Sequence, residues 1–424
     1  MSSTPAQPWS APRAAGPVRG DVRLPGSKSM TARALVLGAL GTGVSTLEGP
    51  LVARDTALMA DGLRALGTGV DTDAAAWTVR PAAPRAPAAV DVGLAGTVMR
   101  FLPPVAALAD GPVLFDGDAA ARRRPLGPLL DGLRQLGVAV TAADGRLPAT
   151  VHGRGGVASG TVTIDASASS QFVSGLLLAG AAYAGGLTVR HAGPPVPSAP
   201  HLRMTVRMLR AAGVAVDTAA PDVWVVAPGR PAGRRWTVEP DLAGAAPFLA
   251  AALVTGGRVT LAHWPRDSVQ PVAEVAELFT LLGGAVEVTG AGLTVSGTGT
   301  VTGADLDLRA VSELTPVVAA LATLADRPSR LRGVAHIRGH ETDRLAALAG
   351  QLGDRGAAVT ETDDGLRITP GRLRGGVLAT FGDHRMAHAA AVLGLAVDGV
   401  GVDDVGCTRK TLPDFPGLWS ALVG

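Results

Sequence analysis

The stretch SKSMTARALVLGALGTGVSTLEG, residues 27–49, joins a polar opening to an apolar run of small residues, a glycine break and a short strand. The same order returns at residues 94–117, 169–193, 241–263, 312–333 and 381–406. Apolar residues fill almost every position of these runs, as in helices that are buried on most sides. Six copies of one helix–strand pattern indicate that the chain is built from repeats.

A second pattern lies between the copies, an amphipathic helix that ends in Gly-x-x-Val and leads into a strand. Glycine just past a helix end supplies the left-handed geometry that stops the helix, and valine favours a strand. The glycines recur about every 70 residues, a period longer than that of common solenoid repeats. They are Gly67, Gly137, Gly213, Gly283 and Gly356.

Two helices and several strands per unit predict an α/β fold, and six units predict two pseudo-symmetric domains of three units. The segment WTVEPD, residues 236–241, lies between the third and fourth units and is the expected crossing point. We expect one domain over residues 22–238. The other combines residues 1–21 with residues 239–424, which creates a two-stranded hinge.

Composition narrows the class of protein. The 424 residues are 47% hydrophobic but only 3% aromatic, so alanine, valine and leucine must form the cores. A net charge of +2 argues against general nucleic-acid binding, which needs a broad basic surface. The single cysteine, Cys407, excludes an internal disulfide framework and a cysteine-rich metal site. No apolar run reaches the roughly 18 residues of a membrane span, and we expect a cytoplasmic monomer.

Charged and hydroxyl residues stand in the first turns of the apolar helices, where packing does not require them. The unpaired N–H groups and the dipole of a helix start attract anions. Each group also has a plainer explanation, as a helix cap or a charged surface patch. The groups are Lys28, Ser29 and Arg33; Gly96, Thr97 and Arg100; Ser169, Ser170 and Gln171; Glu313; and Asp383, His384 and Arg385.

The segment RGHETDR, residues 338–344, is the densest in charge. His340 and Arg344 are four residues apart, which places them on one face of a helix. One explanation is a solvated surface with ion pairs. The other is an acid–base carboxylate, Glu341, beside an arginine whose planar fork matches a carboxylate or phosphate. Lys410, in CTRK at residues 407–410, follows the last repeat strand and is either a terminal surface lysine or a site residue.

As a set, these motifs resemble the 5-enolpyruvylshikimate-3-phosphate synthase family of enolpyruvyl transferases. The matching stretches run in family order from Leu24 to Pro416: LPGSKSMTARALVLGAL, LAGTVMRFL, SSQFVSGLLLA, SELTPVVAALA, HETDRL, FGDHRMAHA and CTRKTLPDFP. The resemblance implies two domains, each of three βαβαββ units in an inverse α/β barrel, with the substrates in the cleft between them. It implies transfer of the enolpyruvyl group of phosphoenolpyruvate to the 5-hydroxyl of shikimate 3-phosphate, with release of phosphate, in the shikimate pathway of aromatic amino acid and chorismate biosynthesis. No metal or organic cofactor takes part in this reaction, and glyphosate is a family inhibitor.

The resemblance also assigns roles to positions. Glu313 matches the base that accepts the 5-hydroxyl proton, and Glu341, Lys28 and His384 match residues that handle protons at the enol carbon. The implied shikimate 3-phosphate ligands are Lys28, Ser29, Arg33, Ser169, Ser170, Gln171, Ser198, Glu313 and His340. The implied phosphoenolpyruvate ligands are Lys28, Gly96, Arg122, Arg344, Arg385 and Lys410.

The chain departs from the common family pattern at some of these positions. Glu313 stands where many members have aspartate, and His340 stands where lysine is common. In the loop GDAAARRRP, residues 117–125, the phosphoenolpyruvate arginine is Arg122 or Arg124. We favour Arg122, because Arg124 precedes Pro125 in the way that a separate family arginine does.

Two alternative functions stay open. The related UDP-N-acetylglucosamine enolpyruvyl transferases typically carry a cysteine on the loop that corresponds to residues 117–125, and here the cysteine is Cys407. A repeat scaffold that binds anionic partners without catalysis would not require acids such as Glu313 and Glu341 among its basic helix starts.

Overall fold

The computed structural model describes residues 7–424, so the first six residues of the expected segment 1–21 lie outside the described residues. The chain divides into two compact units. The central unit is Gly26–Glu239, and the terminal unit combines the chain up to Pro25 with Pro240–Gly424. The expected domain bounds and hinge stay predictions. Between residues 7 and 424, no helix is both long and apolar enough to cross a membrane.

The chain begins with two strands of the terminal unit, β1 (Trp9–Ser10) and β2 (Arg19–Val22), and then builds the central unit. The helices of the central unit are α1 (Lys28–Ala39), α2 (Arg54–Ala65), α3 (Gly96–Ala106), α4 (Ala119–Arg122), α5 (Gly127–Gln135), α6 (Ser170–Gly180) and α7 (Ala199–Ala211). Its strands are β3 (Ser45–Glu48), β4 (Gly69–Asp71), β5 (Ala76–Arg80), β6 (Ala88–Asp91), β7 (Asp110–Asp116), β8 (Ala139–Ala142), β9 (Ala149–Arg154), β10 (Gly160–Ile164), β11 (Leu187–His191), β12 (Val216–Asp217), β13 (Val223–Val226) and β14 (Arg235–Thr237).

One strand pattern is used three times in the central unit. The sheets have the orders β14-β3-β5-β4, β6-β7-β9-β8 and β10-β11-β13-β12. In each sheet the first two strands are parallel and the other pairs are antiparallel. The last strand of the unit, β14, completes the sheet of the first repeat, where Trp236 pairs with Leu47.

The terminal unit continues with α8 (Leu242–Thr255), α9 (Val272–Leu281), α10 (Thr315–Thr323), α11 (Arg344–Asp354), α12 (His384–Gly394) and α13 (Phe415–Val423). Its further strands are β15 (Arg258–Ala262), β16 (Ala285–Val288), β17 (Gly292–Ser296), β18 (Asp305–Asp307), β19 (Ser329–Arg332), β20 (Ala358–Thr362), β21 (Gly365–Thr369), β22 (Gly376–Leu378) and β23 (Val400–Val402). Three short 3₁₀ segments, Arg309–Leu314, Ala335–Gly339 and Val405–Lys410, lie among its described residues.

The strand pattern of the central unit returns in the terminal unit. Two of its sheets have the orders β2-β15-β17-β16 and β18-β19-β21-β20, and each again opens with a parallel pair. The third sheet pairs β22 with β23 in parallel and β23 with β1 in antiparallel fashion. The predicted α/β fold of repeated units is thus confirmed. The five predicted cap glycines also adopt positive φ, between 78° and 109°, directly after a helix.

Helix α12 buries one polar side chain that packing does not explain. The ring of His388 lies against Phe415, with 4.8 Å between the ring centroids. Among residues 7–424, neither ring nitrogen of His388 finds a hydrogen-bond partner. Burial, followed by the charge of Arg385, lowers the pKa of His388 well below its ordinary value. The folded protein therefore keeps the buried imidazole of His388 neutral.

Replacing His388 by methionine is expected to raise the free energy of unfolding by about 1–3 kcal/mol at neutral pH, because two desolvated nitrogens are removed. The gain should grow as the pH falls below about 6.5, because the unfolded histidine then binds a proton that the folded one does not. Chemical denaturation between about pH 7.5 and pH 5 measures both effects.

The control is His152→Met, because His152 bonds Thr141 in an exposed pair. We expect this change to alter the free energy of unfolding by less than about 0.5 kcal/mol. If His388→Met left the free energy of unfolding and its pH dependence unchanged, burial of this ring would not lower the stability of the protein.

Candidate active site

Lys28 of the central unit stands at the start of α1. Ser27 caps this helix, since its hydroxyl accepts a hydrogen bond from the backbone N–H of Met30 at 3.4 Å. Lys28 Nζ lies 3.1 Å from Oδ2 of Asp55, a buried carboxylate in the first turn of α2. A charge-assisted bond of this kind gives the ammonium a fixed position. Sequence reasoning did not include Asp55, because the two residues belong to different helices.

Arg33 of α1 is buried, and it directs most of its N–H groups into the protein. Nε donates to Thr205 Oγ1 at 2.7 Å, and Nη1 donates to the Ser29 carbonyl at 2.9 Å. Nη2 donates to Ser174 Oγ at 3.3 Å and to the His201 carbonyl at 3.2 Å. Burial lowers the pKa of Arg33 to about 9. Arg33 thus braces α1 against its neighbours, and its contribution to substrate binding is restricted to the remaining N–H.

Gly96, the first residue of α3, lies among three polar side chains. A Cβ atom at this position would be 3.0 Å from Arg100 Nη1, 3.2 Å from Arg124 Nη1 and 3.2 Å from Gln171 Oε1. Burial, followed by the charge of Arg124, lowers the pKa of Arg100 well below its ordinary value. Two neighbouring guanidinium groups in a buried place favour an anion beside them. The glycine leaves backbone open to that anion.

Arg122 lies in a different setting from Arg124. Its guanidinium bonds Asp116 twice, through Nε at 2.9 Å and Nη2 at 2.7 Å. The side chain is 53% exposed, and the hydrogen bond to Asp116 raises its pKa. Arg122 therefore already has a carboxylate partner at the surface. Of the two candidate arginines, Arg124 is the one whose guanidinium lies beside Gly96.

The serine and glutamine residues from the third repeat mark the starts of two helices. Ser169 caps α6 and accepts from the Gln171 backbone N–H at 3.3 Å, while Ser170 is the buried first residue of the helix. Ser198 stands at the N-cap position of α7 with a left-handed φ of 53°. Within residues 7–424, the buried Gln171 Oε1 has no hydrogen-bond partner. These helix starts can bind an anionic or hydroxylated ligand through N–H and O–H donors.

The terminal unit holds a second set of candidate residues around Arg344. Its Nε and Nη2 donate to the two carboxylate oxygens of Asp383 at 2.8 and 3.1 Å, and Nη1 donates to Glu313 Oε2 at 3.2 Å. Burial alone would lower the pKa of Arg344, but the charges of Asp383 and Glu313 outweigh it and raise the pKa. A single buried cation therefore organises two carboxylates. Asp383 also caps α12 by accepting from the Arg385 N–H at 2.9 Å.

Glu341 lies between a lysine and a histidine. Lys410 Nζ donates to its Oε1 at 2.8 Å, and His384 Nδ1 lies 3.0 Å from its Oε2. Burial would raise the pKa of Glu341, but attraction to His384, Lys410 and Arg344 lowers it well below its ordinary value. Burial lowers the pKa of His384. Glu341 is thus an ionised carboxylate with two possible proton partners.

Glu313 and His340 come together without sharing a helix. The sequence pattern placed Glu313 at a helix start, but it lies in the 3₁₀ segment Arg309–Leu314, before α10 begins. Its carboxylate is 3.7 Å from His340 Nδ1 and 3.6 Å from Arg385 Nε. Arg344 Nη1 is 3.1 Å from His340 Nδ1, which places this ring nitrogen between a guanidinium and the Glu313 carboxylate.

Three of these side chains could be considered as metal ligands. One ligand atom each from Glu341, Asp383 and His384 lies within 4.8 Å of the others. Both carboxylates are already bound to cations, however: Glu341 to Lys410 and Asp383 to Arg344. The set has the chemistry of an acid–base and anion-binding site, and we assign no metal to it.

Comparison with known proteins identifies the family. The model of the EPSP synthase (3-phosphoshikimate 1-carboxyvinyltransferase) family matches residues 12–419. The chain belongs to this family. It is an enolpyruvyl transferase that uses phosphoenolpyruvate and shikimate 3-phosphate, as its motifs predicted.

Solved structures of this fold agree with that assignment. An EPSP synthase from Acinetobacter baumannii has 25% identity and a TM-score of 0.80, with 98% of this chain and 97% of that chain covered. A second structure of EPSP synthase from the same organism has 24% identity and a TM-score of 0.79, with 98% of each chain covered. The enolpyruvyl transferase NikO from Streptomyces tendae has 20% identity and a TM-score of 0.76, with coverage of 97% and 96%. The last two likenesses concern the fold alone.

Proposed function

We propose that the chain carries out enolpyruvyl transfer with two sets of residues. Shikimate 3-phosphate is bound by Lys28, Ser29, Arg33, Ser169, Ser170, Gln171, Ser198, Glu313 and His340. Phosphoenolpyruvate is bound by Lys28, Gly96, Arg124, Arg344, Arg385 and Lys410. The observation that supports this most strongly is the pairing in the terminal unit, where Arg344 holds Glu313 and Lys410 holds Glu341. Carboxylates fixed by cations can transfer protons at defined places.

Each carboxylate has its own step in the proposed mechanism. Glu313 accepts the 5-hydroxyl proton of shikimate 3-phosphate while that oxygen bonds to C2 of phosphoenolpyruvate. A proton from Lys410 or His384, the two hydrogen-bond neighbours of Glu341, reaches C3. The adduct then breaks its C2–phosphate bond and returns a proton from C3, which forms the enol ether and inorganic phosphate.

The ionised state of Glu341 suits the charge that this reaction develops. Protonation at C3 makes C2 cationic, and a fixed carboxylate stabilises that charge. The proton itself must then come from a neighbour, and both Lys410 and His384 are within hydrogen-bond distance of Glu341. Lys28, which Asp55 holds in place, supplies a further charge for the substrates.

The acceptor is tested by phosphate release. The purified chain should release phosphate from phosphoenolpyruvate when shikimate 3-phosphate is added, and not with UDP-N-acetylglucosamine. Release with the nucleotide sugar alone would assign the alternative acceptor, and no release with either would support a binding scaffold. Cys407 does not favour the nucleotide-sugar reaction, because it lies in the 3₁₀ segment Val405–Lys410 and not on the loop at residues 117–125.

The two candidate arginines of the 117–125 loop give a sharper test. Arg124→Ala is expected to raise KM for phosphoenolpyruvate about tenfold to a hundredfold, because it removes a charge beside Gly96. Arg122→Ala should change KM by less than about twofold, because its exposed pair with Asp116 contributes little. Steady-state kinetics on both variants decides between them. If Arg122→Ala raised KM for phosphoenolpyruvate more than Arg124→Ala did, Arg122 would be the ligand.

We further propose a cytoplasmic monomer that binds no nucleic acid. The single cysteine and the near-neutral charge of +2 support this. Light scattering of the purified chain measures the oligomeric state, and a dimer mass at micromolar concentration would contradict the monomer.

A further inference from the structure

A half-buried hydrogen bond joins the segment of Glu313 to the segment that leads into Glu341. Ser312 precedes Glu313 in the 3₁₀ segment Arg309–Leu314 and is buried. Its Oγ lies 2.9 Å from Nε2 of His336. His336 belongs to the 3₁₀ segment Ala335–Gly339, which leads directly into His340 and Glu341. This hydrogen bond therefore connects the segment that carries Glu313 with the segment that leads into Glu341.

The Glu313 segment depends on side-chain bonds because its backbone is irregular. Val311 has φ −128° and ψ 39°, outside the helical region, so the segment is kinked just before Ser312. Thr315 Oγ1 donates to the Ser312 carbonyl at 2.8 Å, and His336 reaches the Ser312 hydroxyl. A short 3₁₀ turn has weaker hydrogen bonds than an α-helix and holds its side chains less firmly by itself.

His336 also contacts the residue beside Glu341. The rings of His336 and His340 meet edge to face, with centroids 5.7 Å apart and planes at 69°. Burial lowers the pKa of His336 to about 4, while the charge of Glu313 acts in the opposite direction and the charges of Arg344 and Arg309 add to the lowering. At neutral pH the ring is therefore neutral, with one donor and one acceptor nitrogen.

We propose that His336 is a positioning residue of the transferase reaction. Through Ser312 it sets the position of Glu313, and through its ring contact with His340 it sets the segment that carries Glu341. This inference rests on the proposed roles of Glu313 and Glu341. If the bond between Ser312 and His336 only stabilised the fold, its loss would lower stability and leave the rate per folded molecule unchanged.

Three single variants separate the two contacts of His336. Ser312→Ala and His336→Phe remove the hydrogen bond, and the phenyl ring keeps the contact with His340. His336→Gln keeps an amide able to reach the Ser312 hydroxyl but removes the ring. We expect kcat to fall about tenfold to a hundredfold in the first two variants, with KM of both substrates changed less than about threefold, because a small misplacement acts on chemistry. His336→Gln should retain more of kcat than His336→Phe.

A double variant and a matched control complete the kinetic test. Because the two changes break one bond, Ser312→Ala combined with His336→Phe should lower kcat no further than the worse single variant. Thr141→Ala and His152→Phe break a histidine–hydroxyl bond of 3.1 Å in the central unit and should leave kcat unchanged. A kcat within twofold of the parent in both Ser312→Ala and His336→Phe, or fully additive losses, would overturn the proposal.

A measurement that does not depend on activity separates the test of the positioning role from the test of the proposed function. Nitrogen-15 NMR of the histidine rings should show a changed His340 signal in both His336→Phe and Ser312→Ala, and no change in Thr141→Ala. A parent chain that releases no phosphate with shikimate 3-phosphate refutes the proposed function, whereas an unchanged His340 signal refutes the positioning role.

Discussion

Glu313→Gln is expected to lower kcat by about a hundredfold to ten-thousandfold, the range that a general base contributes. In the parent protein, Arg344 Nη1 donates to Glu313 Oε2 at 3.2 Å. The amide of glutamine has the same size, and its oxygen can still accept this hydrogen bond. It cannot accept the 5-hydroxyl proton. KM for shikimate 3-phosphate should therefore change far less than kcat, which steady-state and single-turnover kinetics can separate.

Glu361→Gln provides the control for this experiment. Glu361 also pairs with an arginine in the terminal unit, Arg338, but on β20 and in a more exposed setting. Its loss should leave kcat unchanged. If Glu313→Gln weakened shikimate 3-phosphate binding as much as it lowered kcat, Glu313 would be a ligand and not the base.

Arg344→Met is expected to lower the free energy of unfolding by about 3–5 kcal/mol and to abolish turnover. The guanidinium is 1% exposed, and its removal leaves the buried Asp383 without its bidentate partner. It also releases Glu313 from its cation. Chemical denaturation at neutral pH measures the loss of stability, and phosphate release measures the loss of turnover.

An exposed arginine with the same connectivity provides the matched control. Arg332 bonds both Asp305 and Asp307, at 2.9 and 2.8 Å, but its side chain is 38% exposed. Arg332→Met should cost less than about 1 kcal/mol, because water solvates the freed carboxylates. Adding Asp383→Asn to Arg344→Met should restore part of the stability by removing the stranded charge. Equal losses in Arg344→Met and Arg332→Met would contradict the role of burial.

The repeat architecture was predictable because local sequence patterns indicate each of its helices and turns. A glycine that takes positive φ just after a helix, such as Gly67 or Gly356, indicates where that helix ends. The apolar runs likewise mark helices that are buried on most sides, as in α8 and α12. The family motifs extend over nearly the same range as the family match, residues 12–419.

The loop at residues 117–125 shows what a local pattern leaves open. Three consecutive arginines, Arg122 to Arg124, offer the same charge in sequence. Asp116 on β7 pairs with Arg122, and Gly96 at the start of α3 lies beside Arg124. Sequence analysis favoured Arg122 from the position of Arg124 before Pro125, whereas the contacts of each guanidinium depend on which neighbour it meets in the fold.

The sequence by itself determined the α/β repeats and the family, and it predicted the candidate site residues, because helix starts, cap glycines and motif order are local properties of the chain. Only the tertiary structure decided which charges pair: Lys28 with Asp55, Arg344 with Asp383, Glu341 with Lys410 and His384. It also linked Ser312 to His336. These partners are 24 to 69 residues apart in the chain. Electrostatic and hydrogen-bond energies depend on distance and burial in space, which only the folded chain defines.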